Sequence, residues 1–154
     1  MLLFSVWLIF FPNAFYIVTD LIHLGVKTTI PKWFDAVLLF TSCIMGLLMA
    51  FVSLLRVENF LGKKFNSQKV HTMMIGILFL SSFGVYLGRF LRWNSWDIVS
   101  NPLELLYAIA QRIIFPLQHV QTWGVTILFT ILFHLLFLAI KKLPDYLNQA
   151  IQYK

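Results

Sequence analysis

Phe11-Pro12-Asn13-Ala14-Phe15-Tyr16-Ile17-Val18-Thr19-Asp20-Leu21-Ile22-His23-Leu24 sets a helix breaker, an amide, a carboxylate and an imidazole inside a hydrophobic run. Such groups are expensive in hydrocarbon and face protein or water where they occur. At helical spacing Asn13, Tyr16, Asp20 and His23 are three, four and three residues apart, which lines them along one stripe of a helix. The stretch therefore predicts a membrane-spanning helix that carries part of a polar site.

The rest of the chain supplies the bilayer context. Of its 154 residues 60% are hydrophobic and 12% charged, where a soluble domain has roughly 45–50% apolar and about 25% charged residues. A spanning helix needs about 20 mostly apolar residues. Phe34–Leu55, Thr72–Gly88 and Val120–Ile140 meet or approach that length, and Met1 to about Val18 is the fourth candidate. The opening segment has neither a basic n-region nor a small-residue cleavage site, so it reads as a retained span and not a signal peptide. The expected fold is all-α: a polytopic membrane protein in a single domain over 1–154, with transmembrane helices at about 1–18, 34–55, 72–88 and 120–140.

Between the third and fourth spans, Asn101–Gln118 is apolar but too short to cross. Asn101, Pro102 and Glu104 make a helix start, Pro116 ends it, and Glu104, Gln111 and Gln118 recur every seven residues. This predicts an interfacial or re-entrant helix over about 101–117. In the tail 141–154, Pro144 precedes Asp145-Tyr146-Leu147-Asn148-Gln149-Ala150-Ile151, read as a short surface helix.

The net charge of +6 flanks hydrophobic spans, which points to orientation and anionic lipid and away from nucleic acid. With four spans, Arg56, Lys63, Lys64, Lys69, Lys141, Lys142 and Lys154 share one side with Glu58 and Asp145. Lys27, Lys32, Arg89, Arg92 and Arg112 share the other with Asp20, Asp35, Asp97 and Glu104. The positive-inside rule makes the first side, with the loop 56–70 and the C-terminus, cytoplasmic. The single cysteine, Cys43, lies in the second span and is read as a packing residue.

Several groups are candidates for chemistry. Pro12 removes a backbone donor and predicts a kink, with Asn13 placed to answer the freed backbone. Asp20, His23 and Asp35 fall at one membrane edge; a histidine with two carboxylates suits a divalent metal or proton transfer, and ordinary ion pairing is the plainer alternative. No residue is assigned as a metal ligand, and no cofactor follows from the sequence. Gly84 and Gly88, four apart, have the spacing of close helix packing. Trp93 and Trp96 suit an interfacial belt. Arg89 and Arg92, read on one helix face, either neutralise the nearby acids or hold an anion through their planar forks. Asn13, Tyr16, Asn94, Asp97 and Glu104 complete the candidate ligand-binding set. His134, deep in the fourth span, is expected to be neutral and bonded to a neighbouring helix, while His71 and His119 carry little signal. No Walker-type loop, Gly-x-Ser-x-Gly elbow or His-Glu-x-x-His helix occurs, so the familiar soluble enzyme chemistries are unsupported.

Pro12-Asn13-x-x-Tyr16-x-x-Thr19-Asp20-Leu21-x-His23-Leu24, Trp33-x-Asp35 and Gly84-x-Tyr86-Leu87-Gly88-Arg89-Phe90-Leu91-Arg92-Trp93-Asn94-Ser95-Trp96-Asp97 resemble a bacterial family of uncharacterised multi-pass membrane proteins, the domain-of-unknown-function family 1361. The resemblance runs from about Phe11 to the end of the fourth span. It implies a bacterial inner-membrane location and brings no activity or site residues with it. Members usually carry more hydrophobic sequence ahead of the Pro-Asn motif, from which an incomplete or a shortened N-terminus is expected here; two further spans would leave the orientation unchanged and one would invert it.

Three functional readings follow. The leading one is an outward-facing polar pocket that binds an anionic lipid or lipid-linked group, with Arg89 and Arg92 on the anion and Asp20, His23 and Asp35 positioning it or moving a proton. The second is a non-enzymatic subunit or scaffold, in which Gly84, Gly88 and aromatic faces dock another membrane protein or a second copy. The third is a transporter component using Asp20, His23 and His134 as a proton path.

Overall fold

A computed structural model describes residues 2–23 and 31–152. Its elements are α1 (Leu2–Tyr16), a 3-10 turn (Ile17–His23), α2 (Lys32–Gly62), α3 (Ser67–Leu91), the single turn α4 (Asp97–Ser100), α5 (Pro102–Ile114), a second 3-10 turn (Pro116–His119) and α6 (Val120–Gln152). Among the described residues four segments are long and apolar enough to cross a membrane: Leu3–Leu21, Lys32–Gly62, Ser67–Leu91 and Pro116–Pro144. The chain is thus an all-α polytopic membrane protein. Leu3–Leu21 starts and ends later than the expected 1–18, and the other three run past 34–55, 72–88 and 120–140 at both ends, because polar residues at a span's ends keep the backbone ladder intact once one end is nucleated. The 31 residues of α2 reach about 46 Å at 1.5 Å per residue, well past a hydrocarbon core of about 30 Å.

α3 is the centre of the bundle. On one side α1 lies parallel to it with register set by two glycines: a Cβ added at Gly84 would meet Pro12 at 2.9 Å, and one at Gly88 would meet the Tyr16 ring at 3.2 Å. Pro12 and Tyr16, four apart on α1, thus seat on glycines four apart on α3. On the other side α6 runs antiparallel, with Trp123 stacked on Phe79 and Phe83 and His134 against His71. α2 closes the bundle antiparallel to α1. Trp7 Nε1 donates to Ser53 Oγ at 2.8 Å, and Gly46 admits the 3-10 turn, its added Cβ meeting Ile17 Cγ2 at 2.8 Å.

Between α1, α2 and α6 an aromatic column fills the core. Phe15 stacks on Phe133 at 4.1 Å and tilts against Phe51, which leads on to Phe137. All four rings are fully buried. Cys43 is buried too, as a packing residue would be. At the end away from the Phe11–Leu24 stretch, Lys141 Nζ donates to Glu58 Oε1 at 2.7 Å, which ties α6 to α2 and puts both residues at one end, as a four-span count requires.

Two local expectations are corrected. The 141–154 tail is not a separate surface helix: α6 passes through Pro144 to Gln152, because residues 141–144 are exposed and the carbonyl that Pro144 leaves unbonded can be solvated. The stripe from Asn13 to His23 is not one α-helix either, since α1 ends at Tyr16 and the chain tightens into a 3-10 turn.

The glycine contacts make a direct forecast. Gly84→Ala presses a methyl group into the Pro12 ring, costing about 1–3 kcal/mol, whereas Gly76→Ala, with open space around it, is neutral or gains up to ~1 kcal/mol of helix propensity. Thermal unfolding of the two variants in one detergent measures the difference.

Candidate functional site

The site grows from the ends of α1 and α3. Past Tyr16 the Thr19 hydroxyl donates to the Tyr16 carbonyl at 2.6 Å, which tightens the 3-10 turn and swings Asp20 toward α3. There Arg89 Nη1 donates to Asp20 Oδ1 at 3.2 Å, with side-chain exposures of 12% and 35%. The Arg89 guanidinium carbon also lies 5.9 Å from the Tyr16 ring centroid, within cation–π range. The same tyrosine that packs on Gly88 therefore helps hold the next residue's charge.

α3 ends by a backbone device. Arg92 takes the left-handed conformation, φ 59 and ψ 28, and its amide bonds the Leu87 carbonyl, as does the Trp93 amide at 3.2 Å. The chain then folds back over α1. Asn13 Nδ2 donates to Ser95 Oγ, and Ser95 Oγ donates to the Ile9 carbonyl, each at 3.3 Å. Ile9 stands in the turn that the Pro12 ring crowds, where helix bonding is weakened. The hydroxyl that answers the backbone there is Ser95, with Asn13 holding it. Asp97 braces the return: its carboxylate accepts from the Asn94 amide at 2.6 Å and from Ser100 Oγ at 3.2 Å.

A cleft of about 160 Å³ opens between α1, α3 and the returning segment. Ile9, Val85 and Leu105 give it apolar walls, and Asn13, Asn94 and Ser95 give it hydrogen-bonding groups. At that size it admits a headgroup or a length of chain, since sites for whole drug-sized ligands run to about 300–1,000 Å³.

Asn13, Tyr16, Asp20, Arg89 and Asn94 are thus brought together. Arg92 is not on Arg89's face: it is the exposed cap of α3 and makes no ion pair among the described residues. Asp35, in the first turn of α2, and Glu104, in the first turn of α5, likewise have no side-chain partner among the described residues. The backbone of His23 ends the 3-10 turn; its side chain lies outside the described residues. Among the described residues no three His, Cys, Asp or Glu side chains converge as metal ligands would. The hydrogen bond expected of His134 to a neighbouring helix is not formed among the described residues: its ring meets His71 edge-on at 5.5 Å, and Nδ1 is buried with no partner among them. His71 and Ser95 were not singled out from sequence; only the antiparallel register of α6 and the left-handed turn at Arg92 bring them into play. Gly84 and Gly88 are filled by α1, which removes them as a docking face for another protein.

The model of a family described as protein of unknown function (DUF1361) matches residues 1–136. The chain belongs to the DUF1361 family. The match takes in every residue of the cleft and stops within α6. No curated protein matches the chain, and no solved structure does. Membership in DUF1361 therefore fixes kinship and leaves the activity to be read from the residues.

The Asp20–Arg89 pair is asymmetric in its exposure. Asp20→Asn takes the carboxylate from a guanidinium that is 12% exposed, while Arg89→Gln leaves a carboxylate that water reaches. Both variants lose stability on the order of 1–3 kcal/mol, with Asp20→Asn the larger loss. Arg92→Gly removes a side chain from a left-handed position and gains about 1 kcal/mol. Unfolding midpoints in a single detergent check the ranking.

Proposed function

We propose that this DUF1361 protein resides in a bacterial inner membrane and binds an anionic lipid or lipid-linked group in the cleft between α1, α3 and the segment after α3. The observation that supports it is the cleft's make-up: apolar walls for hydrocarbon, with the amides of Asn13 and Asn94 and the Ser95 hydroxyl at hydrogen-bonding positions. Arg92, exposed on the turn that enters this segment, is the group for the anion, because an exposed guanidinium can pair with phosphate or carboxylate at low desolvation cost. Arg89, held by Asp20 and Tyr16, positions the wall of the cleft. His23 and Asp35 are the groups proposed to position the ligand or move a proton at the same membrane edge. The charge count orients the cleft outward and puts the loop 56–70 and the C-terminus in the cytoplasm.

Native mass spectrometry of the purified protein tests the binding. Wild type is expected to retain an anionic lipid, and the double variant Arg92→Gln with Asn94→Ala to hold it about tenfold more weakly, as loss of a charge-assisted hydrogen bond implies. Equal retention by both proteins ends this reading.

A further inference from the structure

The lining of the cleft between α1, α3 and the segment after α3 is polar without being charged. Among the described residues, none of those lining it is Asp, Glu, Lys, Arg or His. The charges nearest in sequence are answered elsewhere: Arg89, next to Gly88, is on Asp20, and the Asp97 carboxylate accepts from its own turn. A phosphate inside the cleft would have no cation beside it there, and an unpaired anion costs far more to desolvate than a hydroxyl does. The anion of a bound lipid therefore belongs outside, on the exposed Arg92 that precedes the lining residue Trp93.

What the lining residues offer instead is unused hydrogen-bonding capacity of both signs. Asn94 is exposed and uses only its backbone amide, which donates to Asp97; its carboxamide has no partner among the described residues. The Tyr16 hydroxyl and Trp93 Nε1 have none among them either. Asn13 donates to Ser95 and, being exposed, keeps its second N–H. A carboxamide both donates and accepts, as a phenol does, while an indole only donates. An ammonium group could satisfy only the acceptors of such a set and a phosphate only its donors; a hydroxyl satisfies both. Size sets the scale of the ligand. The cleft's volume of about 160 Å³ is close to the about 150 Å³ of a cavity that takes up one benzene ring, so there is room for a single six-membered ring, with Ile9, Val85 and Leu105 as apolar walls for its C–H groups.

We infer that the part of the ligand inside the cleft is a neutral polyol ring, one sugar or cyclitol unit of a lipid headgroup, hydrogen-bonded by Asn13, Tyr16, Trp93 and Asn94 while the phosphate stays outside on Arg92. This rests on the proposal that the cleft holds an anionic lipid, and it names the headgroup. The test is the affinity of the full chain for phosphatidylinositol and for phosphatidylethanol of the same acyl chains, read from the shift in unfolding temperature. The two lipids carry the same phosphodiester charge and differ in their headgroup hydroxyls; free inositol is the third ligand. The detergent is lauryldimethylamine oxide, which has no hydroxyls to compete. Phosphatidylinositol is expected to bind about tenfold more tightly than phosphatidylethanol, as one or two further hydrogen bonds imply, and free inositol, which has no acyl chains, to leave the temperature unchanged. Asn94→Ala is expected to remove most of that preference. Tyr16→Phe, which keeps the ring on Gly88 and loses only the hydroxyl, is expected to reduce it about threefold. Because the Asn94 side chain bonds nothing among the described residues, its variant decides the matter if the Tyr16 one does not fold. Equal affinity of the wild type for the two lipids overturns the polyol headgroup and leaves the anionic-lipid reading of the cleft standing, whereas no response to either lipid overturns both. A preference that both variants retain in full, or an equal response to free inositol, also overturns it.

Discussion

Everything at the Arg89 end depends on how closely α1 can approach α3. Pro12 and Tyr16 seat on Gly84 and Gly88 because those positions have no side chain, and helices without a hydrophobic drive between them gain their association from such close packing. The contact fixes rotation and height together. With Tyr16 over Gly88, the 3-10 turn that follows can only deliver Asp20 to the neighbourhood of Arg89, and the segment leaving α3 can only return across the turn that Pro12 disturbs. The ion pair, the Asn13–Ser95–Ile9 chain of hydrogen bonds and the cleft are therefore consequences of one steric register.

The register also explains why polar residues are affordable in so apolar a stretch. Asn13 is bonded through Ser95, and Asp20 through Arg89. The aromatic column of Phe15, Phe51, Phe133 and Phe137 lies on the neighbouring face of α1 and anchors it to α2 and α6. α1 thus has one face held by ring stacking and another by glycine contact, with its polar groups between the contact and the returning segment.

Much of this was legible in the sequence, and the limits are physical. Span number follows from length and hydropathy, and the glycine pair followed from spacing alone. Asp20 and Arg89 share an end by topology, which a count of spans supplies. Arg92 was misplaced on Arg89's face because a left-handed residue is a decision of the chain's path after the helix, and arginine gives no local signal for it as glycine would. Ser95 owes its importance to that path. His71 and His134 meet only because α6 runs antiparallel to α3 in one register. Pro144 reads as a helix end, yet a long helix already formed through a bilayer tolerates one missing bond where water can reach the carbonyl.

The arginines show how a local count of charges misleads. Arg89 looks the most functional, since it sits beside acids and tyrosine at the mouth of a cleft; its charge is already answered by Asp20, and so its first role is to hold α1 and α3 in place. Arg92 makes no ion pair among the described residues because it caps a helix in the open. Arg112, 8% exposed, folds back on its own helix and donates to the Ala108 carbonyl. A charge that the chain itself neutralises is part of the scaffold. A charge that the chain leaves in the open is the one a ligand can reach at low desolvation cost.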